Sequence, residues 1–298
     1  MTGQLRRDAR PAVRPGEAVL VALVGAGIQA SRTPAMHERE GAEHGLRYVY
    51  RLLDLEIMGL GVEALPELLT AAKRFGFAGL NVTYPCKQAV IAHLDGLSAE
   101  AEALGAVNTI VFCGGRSIGH NSDGWGFAES SRRELADVPR ARVVQLGAGG
   151  AGAAVAHALL TLGTSELRLA DVDTAKAESL ARSLRARFDG ARVVTGSASE
   201  MMAGADGIVN ATPIGMKKYP GLPLRAELLH PDLWVADIVY FPLETELLRT
   251  ARALGCRTMG GGGMAVFQAA AAFRLFCGIE PDAERMMRHF VSMTEAAT

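Results

Sequence analysis

The chain is short of several things at once, and each shortage closes off a class of protein. Only four cysteines occur in 298 residues, Cys86, Cys113, Cys256 and Cys277, and none are paired in CxxC spacing. That is neither a zinc-ligand pattern nor the density of a disulfide scaffold, so a reducing, cytoplasmic setting is expected. No sign of charge dominates: 31 basic and 32 acidic residues leave a net charge of −1. No global field therefore draws the chain to nucleic acid or to an anionic membrane, and neither is expected as a partner. The apolar segment Ala18 to Val24 is far too short to span a bilayer and ends at Gly25, which suits a buried strand. The stretch up to Gly16 carries Arg6, Arg7, Arg10 and Arg14, but no apolar core and cleavage site follow, so residues 1–16 read as a loose tail. His37, His93, His120 and His157 have no metal-ligand spacing, and no metal is expected.

What is present is apolar residue in quantity, 49% against 21% charged, enough for two soluble domains. Short β-branched runs alternate with longer alanine- and leucine-rich stretches: Val19 to Val24, Pro34 to His44, Tyr48 to Leu53, Leu65 to Phe75. The alternation restarts after Trp125, with a strand at Arg142 to Leu146, a helix at Ala151 to Leu162 and a strand at Glu166 to Ala170. Repeated βα units of this kind imply an α/β protein with parallel strands. A glycine run, Gly260 to Gly263, then opens a helical stretch from Met264 to Phe276 that is expected to pack back on the first domain.

Two glycine-rich turns compete for a dinucleotide. Gly147-Ala148-Gly149-Gly150-Ala151-Gly152 follows a buried strand and opens a helix, giving GxGxxG. The first glycine allows the tight turn, the second lets a pyrophosphate approach the backbone, and the third permits close helix–strand packing. The next strand ends at Asp171, and 171 − 147 = 24 residues is close to the offset of the acid that binds ribose hydroxyls. Asp171-Val172-Asp173 contains no arginine and would repel a 2′-phosphate, which favours NAD and disfavours NADP. Asp173 reads equally well as the cap of a helix from Thr174. Earlier, Gly25-Ala26-Gly27-Ile28-Gln29-Ala30 also fits the pattern, but Ser31-Arg32-Thr33-Pro34 delays the helix, with Pro34 at its first position and Thr33 as its cap. That turn is assigned to substrate.

In Gly79-Leu80-Asn81-Val82-Thr83-Tyr84-Pro85-Cys86-Lys87, a lysine falls in the first turn of a helix begun by Pro85. The positive end of a helix dipole disfavours a cation there. Asp123, in Asn121-Ser122-Asp123-Gly124, is a candidate carboxylate partner, and the two could manage a proton in alcohol oxidation. Each alone also reads as an exposed lysine and a turn residue.

Taken together, these segments resemble the shikimate dehydrogenase family, including its quinate/shikimate dehydrogenases, over essentially the whole chain beyond the tail. Six motifs occur in order: Ser31-x-Thr33-Pro34-x-Met36-His37, Asn81-Val82-Thr83-x-Pro85-x-Lys87, Gly105-Ala106-Val107-Asn108-Thr109, Asn121-Ser122-Asp123-Gly124, Asn210-Ala211-Thr212-Pro213-x-Gly215-Met216, and Gly261-x-x-Met264-x-x-x-Gln268-Ala269. The resemblance implies that Ser31 and Thr33 bind a substrate carboxylate and that Thr83, Asn108 and Gln268 surround ring hydroxyls, with Tyr240 reaching the substrate. It makes Lys87 and Asp123 the catalytic pair, Lys87 taking the hydroxyl proton while hydride leaves for the nicotinamide, and Asp123 orienting Lys87. The implied cofactor residues are Gly147, Ala148, Gly149, Gly150, Ala151, Asp171, Asp173, Asn210, Thr212, Ile238 and Gly261. The implied architecture is a Rossmann-type dinucleotide-binding domain, residues 124–263, and a smaller α/β substrate domain, residues 17–123 and 264–298, completed by the C-terminal helices, with the active site in the cleft between.

The chain departs from the family pattern in three places. Ser122 stands where threonine is usual, Asp171-Val172-Asp173 stands where many NADP-dependent members carry Asn-Arg-Thr, and Phe267 stands beside Gln268 where some quinate-using relatives offer histidine. The expectation is an NAD-preferring dehydrogenase of shikimate, quinate or both, as a monomer or homodimer. The rival readings are a dehydrogenase of an aminoshikimate-type or other cyclic hydroxy acid, and a non-catalytic dinucleotide sensor.

Overall fold

The structure is a computed structural model that describes residues 10–295. It divides into two compact units, Met1–Ser122 with Gln268–Thr298, and Asp123–Phe267. The first unit runs β1 (Ala18–Gly25), α1 (Thr33–Glu43), β2 (Arg47–Asp54), α2 (Leu55–Met58), α3 (Leu65–Arg74), β3 (Gly79–Val82), α4 (Cys86–Ala89), β4 (Gly96–Leu97), α5 (Ala99–Leu104), β5 (Thr109–Cys113) and β6 (Arg116–His120). The second runs α6 (Asp123–Glu134), β7 (Arg142–Leu146), α7 (Gly150–Thr161), β8 (Glu166–Ala170), α8 (Thr174–Arg185), β9 (Arg192–Thr195), α9 (Ala198–Met201), β10 (Gly207–Asn210), β11 (Trp234–Asp237), α10 (Glu246–Ala253) and β12 (Arg257–Met259). Two further helices follow, α11 (Gly261–Cys277) and α12 (Ala283–Glu295).

The second unit's sheet has the order β12-β11-β10-β7-β8-β9, every pair parallel. The chain winds outward from β7 through β8 to β9, then returns to the other side of β7 for β10. This is the doubly wound Rossmann order, and the reversal between β7 and β10 leaves a switch point at the carboxyl ends of the strands. Alternate residues serve opposite faces: Val143, Leu167, Val209 and Ala236 join one core with Val155 and Leu159 of α7, while Val144, Ile208 and Val235 join another with Leu247 and Ala251 of α10. The first unit is mixed, with order β2-β1-β3-β5-β6-β4 and β5 antiparallel to both its neighbours. Ala22, Val24, Leu80 and Val82 pack on Leu65, Leu69 and Ala72 of α3; Val19, Val21 and Leu23 face Phe273 and Phe276 of α11. Burying one such side chain is worth about 1.5–3 kcal/mol, so helices on both faces are what hold these short strands.

The α/β class read from the alternation is the class observed, and the strands Arg142–Leu146 and Glu166–Ala170 have the bounds expected of them. Two local expectations are corrected. Residues 1–9 of the expected tail lie outside the described residues, but Arg10 and Val13 are tied down, their amides donating to Leu275 O at 3.1 Å and Cys277 O at 2.9 Å. The last carbonyls of a helix have no partner within it, and these amides supply one. Thr33 is not a cap: α1 begins at Thr33 itself, and no side chain caps it. Lys87 falls in the first turn of a helix, as expected, but that helix, α4, has four residues and gives way to a 3-10 turn, Val90–His93. Such a stub carries little of a macrodipole.

The C-terminal helix reaches back to α1. Glu40, 1% exposed, accepts from Arg285 Nε at 2.9 Å and Nη2 at 2.6 Å, from the Asp282 amide at 2.8 Å, and lies 3.0 Å from His44 Nε2. No helix among the described residues is long and apolar enough to cross a membrane.

Candidate functional site

In the second unit the expected cofactor residues gather at the carboxyl edge of the parallel sheet. Gly147 leaves β7 at φ +99°, and a Cβ there would lie 2.6 Å from Ala211 O. A Cβ on Gly152 would lie 2.3 Å from Gly147 O. Above Gly149 the situation reverses: nothing lies within 4 Å of a Cβ built there. That open space fronts the start of α7, whose first turn has no acidic side chain to consume its free amides. Gln145, fully buried in β7, donates through Nε2 to Gly147 O and Gly152 O, both at 2.8 Å, and so fastens the turn to the helix. The shape and donors fit a pyrophosphate. Ala148, Gly150 and Ala151 complete the turn, each half-buried.

Asp171, at the end of β8, accepts from the Ala148 amide at 2.7 Å through one oxygen and from the Asp173 amide at 2.8 Å through the other. Each oxygen keeps acceptor capacity for ribose hydroxyls. Asp173 takes the alternative role foreseen for it, capping α8 by accepting from Ala175 and Lys176 amides.

Asn210 and Thr212 are locked by a carboxylate that sequence reasoning missed. Asp237, wholly buried at the end of β11, accepts from Asn210 Nδ2 at 2.9 Å, the Val239 amide at 3.0 Å and Thr245 Oγ1 at 2.7 Å. Asn210 Oδ1 in turn accepts from Thr212 Oγ1 at 2.7 Å. Burial is the main influence on Asp237 and raises its pKa, with the hydrogen bonds pulling the other way. Gly261 begins α11 against Ile238, a Cβ on it falling 2.4 Å from Ile238 O. Asn210, Thr212, Ile238 and Gly261 are thus brought together. Tyr240 is 41% exposed, and the desolvation around its hydroxyl, with the negative charge of Asp123 added, raises its pKa above the ordinary phenol value.

In the first unit, the ends of β1, β3 and β6 and the start of β5 share one edge, and Ser31, Thr33, Thr83, Lys87, Asn108 and Gln268 belong to segments assembled there. The Thr83 amide donates to Val24 O at 3.0 Å, and the Val107 amide to Lys87 O at 2.8 Å. Asn108 Nδ2 donates to Ser122 Oγ at 3.0 Å, and Ser122 Oγ donates to Gln268 O at 3.2 Å. Asn81 supports the same edge by donating to Thr109 Oγ1 at 3.0 Å and accepting from Tyr50 OH at 2.7 Å. Ser31 Oγ accepts from the Thr33 amide at 3.3 Å, which leaves its hydroxyl proton to donate elsewhere. Lys87 is half-buried and Asp123 is 7% exposed. Cys86 is fully buried and its thiol is pushed up to about 11 by that burial, so it is a packing residue rather than a nucleophile.

Comparison with known proteins finds relatives over nearly the whole chain. Residues 23–110 match the model of the shikimate dehydrogenase substrate binding domain. The chain is 57% identical to a shikimate dehydrogenase (NADP(+)) of Streptomyces avermitilis, covering 94% of this chain and 98% of the relative. It is 48% identical to a quinate/shikimate dehydrogenase (NAD(+)) of Corynebacterium efficiens, covering 93% and 99%. Among solved structures, quinate dehydrogenase from Corynebacterium glutamicum in complex with NAD superposes with a TM-score of 0.88 at 46% identity, over 93% of this chain and all of the other.

Proposed function

The chain belongs to the shikimate dehydrogenase family, and from that premise we propose that it is an NAD-preferring oxidoreductase acting on a ring hydroxyl of shikimate, quinate or both. The observation that carries the cofactor choice is Asp171, whose carboxylate faces the glycine turn with no arginine at 172 or 173 to receive a 2′-phosphate. Val172 is wholly exposed and offers nothing polar in its place. The relative at 57% identity carries NADP in its name and the one at 48% carries NAD, so overall likeness does not decide the matter, and it is the local acid that supports NAD.

On this reading the second unit holds the dinucleotide, with its phosphates at Ala148 to Ala151, its ribose on Asp171, and its nicotinamide against Asn210, Thr212, Ile238 and Gly261. The bound nicotinamide supplies the hydride acceptor. The first unit binds the cyclic acid. Ser31 and Thr33 donate hydroxyl hydrogen bonds to its carboxylate, while Thr83, Asn108 and Gln268 fix the ring hydroxyls. Lys87 accepts the proton of the reacting hydroxyl, Asp123 orients Lys87 by accepting a hydrogen bond from its amine, and Tyr240 borders the substrate.

The test is initial-rate absorbance of reduced nicotinamide, with shikimate and quinate each run against NAD and NADP. Turnover of either acid with NAD well above NADP is expected. Lys87→Ala should lose about 10²–10⁴ in kcat while still binding cofactor. Silence with both acids and both cofactors would transfer the assignment to another cyclic hydroxy acid or to a non-catalytic sensor.

A further inference from the structure

The first glycine turn is already holding an anion, and the anion belongs to the chain. Gly27, at φ +66°, and Ile28 present successive amides that donate to the Asp54 carboxylate at 2.9 and 3.0 Å. Gln29 Nε2 donates to it at 3.0 Å and the Glu56 amide at 3.2 Å. Two donors fall on each oxygen, and Asp54 is 3% exposed at the end of β2. A pair of successive amides in a turn with one left-handed residue is a concavity that binds phosphate or carboxylate. Here it is filled from within.

The consequence runs along the chain to the residues assigned to the substrate carboxylate. Ile28, held through its amide by Asp54, accepts at its carbonyl from the Ser31 amide at 3.0 Å. Ser31 Oγ accepts from the Thr33 amide at 3.3 Å. The opposite side of the turn is fixed as well, the Ala26 amide donating to Tyr84 O at 2.9 Å. Three hydrogen bonds thus lead from Asp54 to Ser31 and Thr33 without a break.

We infer that Asp54 is a positioning residue for the substrate: it fills the anion-binding concavity of the first glycine turn and thereby sets the two hydroxyls that receive the substrate's carboxylate. An unfilled concavity would leave two amides seeking an anion one turn away from the place where the substrate anion must sit. The four hydrogen bonds also hold the Asp54 carboxyl below its ordinary pKa, Gln29 contributing most, so the filling anion stays charged at neutral pH. This inference rests on the family reading of Ser31 and Thr33.

The experiment compares Asp54→Asn and Asp54→Ala with the unaltered enzyme on shikimate and quinate, measuring KM and kcat for the acid, cofactor affinity by reduced-nicotinamide fluorescence, and melting temperature. In Asp54→Asn one oxygen becomes an amide that faces donors, and KM for the acid should rise about tenfold with kcat changed less than about threefold. Cofactor affinity should stay within about twofold. Added formate should occupy the space vacated in Asp54→Ala and lower its KM, while leaving the unaltered enzyme's KM unchanged or raised by competition. An unchanged KM for the acid, equal losses for acid and cofactor, or no response to formate would each overturn the inference. If the Asp54 variants do not fold, Gln29→Ala decides: it removes one bond from an exposed residue, KM for the acid should rise about threefold, and an unchanged KM overturns the inference. Silence of the unaltered enzyme on both acids sinks the family reading instead, so the two failures are distinct.

Discussion

Each unit contains the same local sentence in sequence: a buried parallel strand, a turn with two glycines one residue apart, and an acid at the end of the neighbouring strand. In the second unit, α7 starts at Gly150, three residues after Gly147, and nothing stands over Gly149. In the first, α1 starts at Thr33, eight residues after Gly25, and Asp54 has taken the amides for itself. Asp171 spends one bond per oxygen on the protein; Asp54 spends two. A glycine pattern therefore announces an anion site but not whose anion fills it. The neighbouring acid decides, by whether its lone pairs are consumed inside the fold or left for a ligand.

The largest effect that should break this comparison is Gly152→Ala. Its Cβ would meet the Gly147 backbone carbonyl at 2.3 Å, and Gln145 holds that carbonyl in place. Cofactor affinity, read by fluorescence titration, should fall at least about 100-fold, since a displaced turn loses several phosphate contacts together. The counterpart Gly27→Ala meets only the flexible end of Glu56 at 3.1 Å. It should cost about 1 kcal/mol for the left-handed backbone, visible as a lower melting temperature, and leave cofactor affinity alone. Equal cofactor losses in both variants would mean that the two turns are not functionally distinct.

A smaller change should sharpen the comparison. Asp171→Asn keeps an oxygen for the Ala148 amide but removes the charge that opposes a 2′-phosphate. The ratio of kcat/KM for NAD over NADP is expected to fall by about one order of magnitude, mostly through KM for the cofactor, with KM for the acid unmoved. A ratio that stays put would move cofactor selection away from Asp171.

How much of this was legible follows from where the information lies. The strands Arg142–Leu146 and Glu166–Ala170 and the helix Gly150–Thr161 read off the sequence because apolar runs bounded by glycine and an alanine-rich helix leave no competing period. The two-residue strand Gly96–Leu97 did not, because it is defined only by its partner β6. The candidate site residues emerged from motif order. What supports them did not: Asp237 collects donors from positions 210, 239 and 245, and Arg285 meets Glu40 across 245 residues, relations that no local window contains. Asp54 had a signal. It ends the strand after a glycine turn, 54 − 25 = 29 residues on, against 24 for Asp171, and the same test applied to the first turn finds it.

Acid separates the units in a further way. His37, fully buried beside Tyr48, Tyr50, Phe273 and Phe276, has Nδ1 3.0 Å from Tyr48 OH and is pushed down to about 3 by burial, against 6.5 when exposed. As pH falls below 6.5 the unfolded chain takes up this proton and the folded chain does not, so first-unit stability drops until pH about 3 is reached. The slope is about 1.4 kcal/mol per pH unit for one proton. Asp237 in the second unit has the opposite sign. Its raised pKa means that the folded state binds a proton where the unfolded state does not, so stability rises as pH falls through that window towards 3.8. Hydrogen exchange at pH 5 against pH 7, corrected for intrinsic rates, should show protection falling in β1, β2 and α11 more than in β10 and β11. His37→Phe, an apolar replacement among aromatic neighbours, should flatten the first-unit slope and leave the second unit's protection as it was. A first-unit slope between pH 5 and 7 that persists in His37→Phe would move the acid sensitivity to another group such as His289, whose pKa burial also lowers, and not to Asp54, whose lowered pKa gives stability that is lost only as pH falls below 3.8.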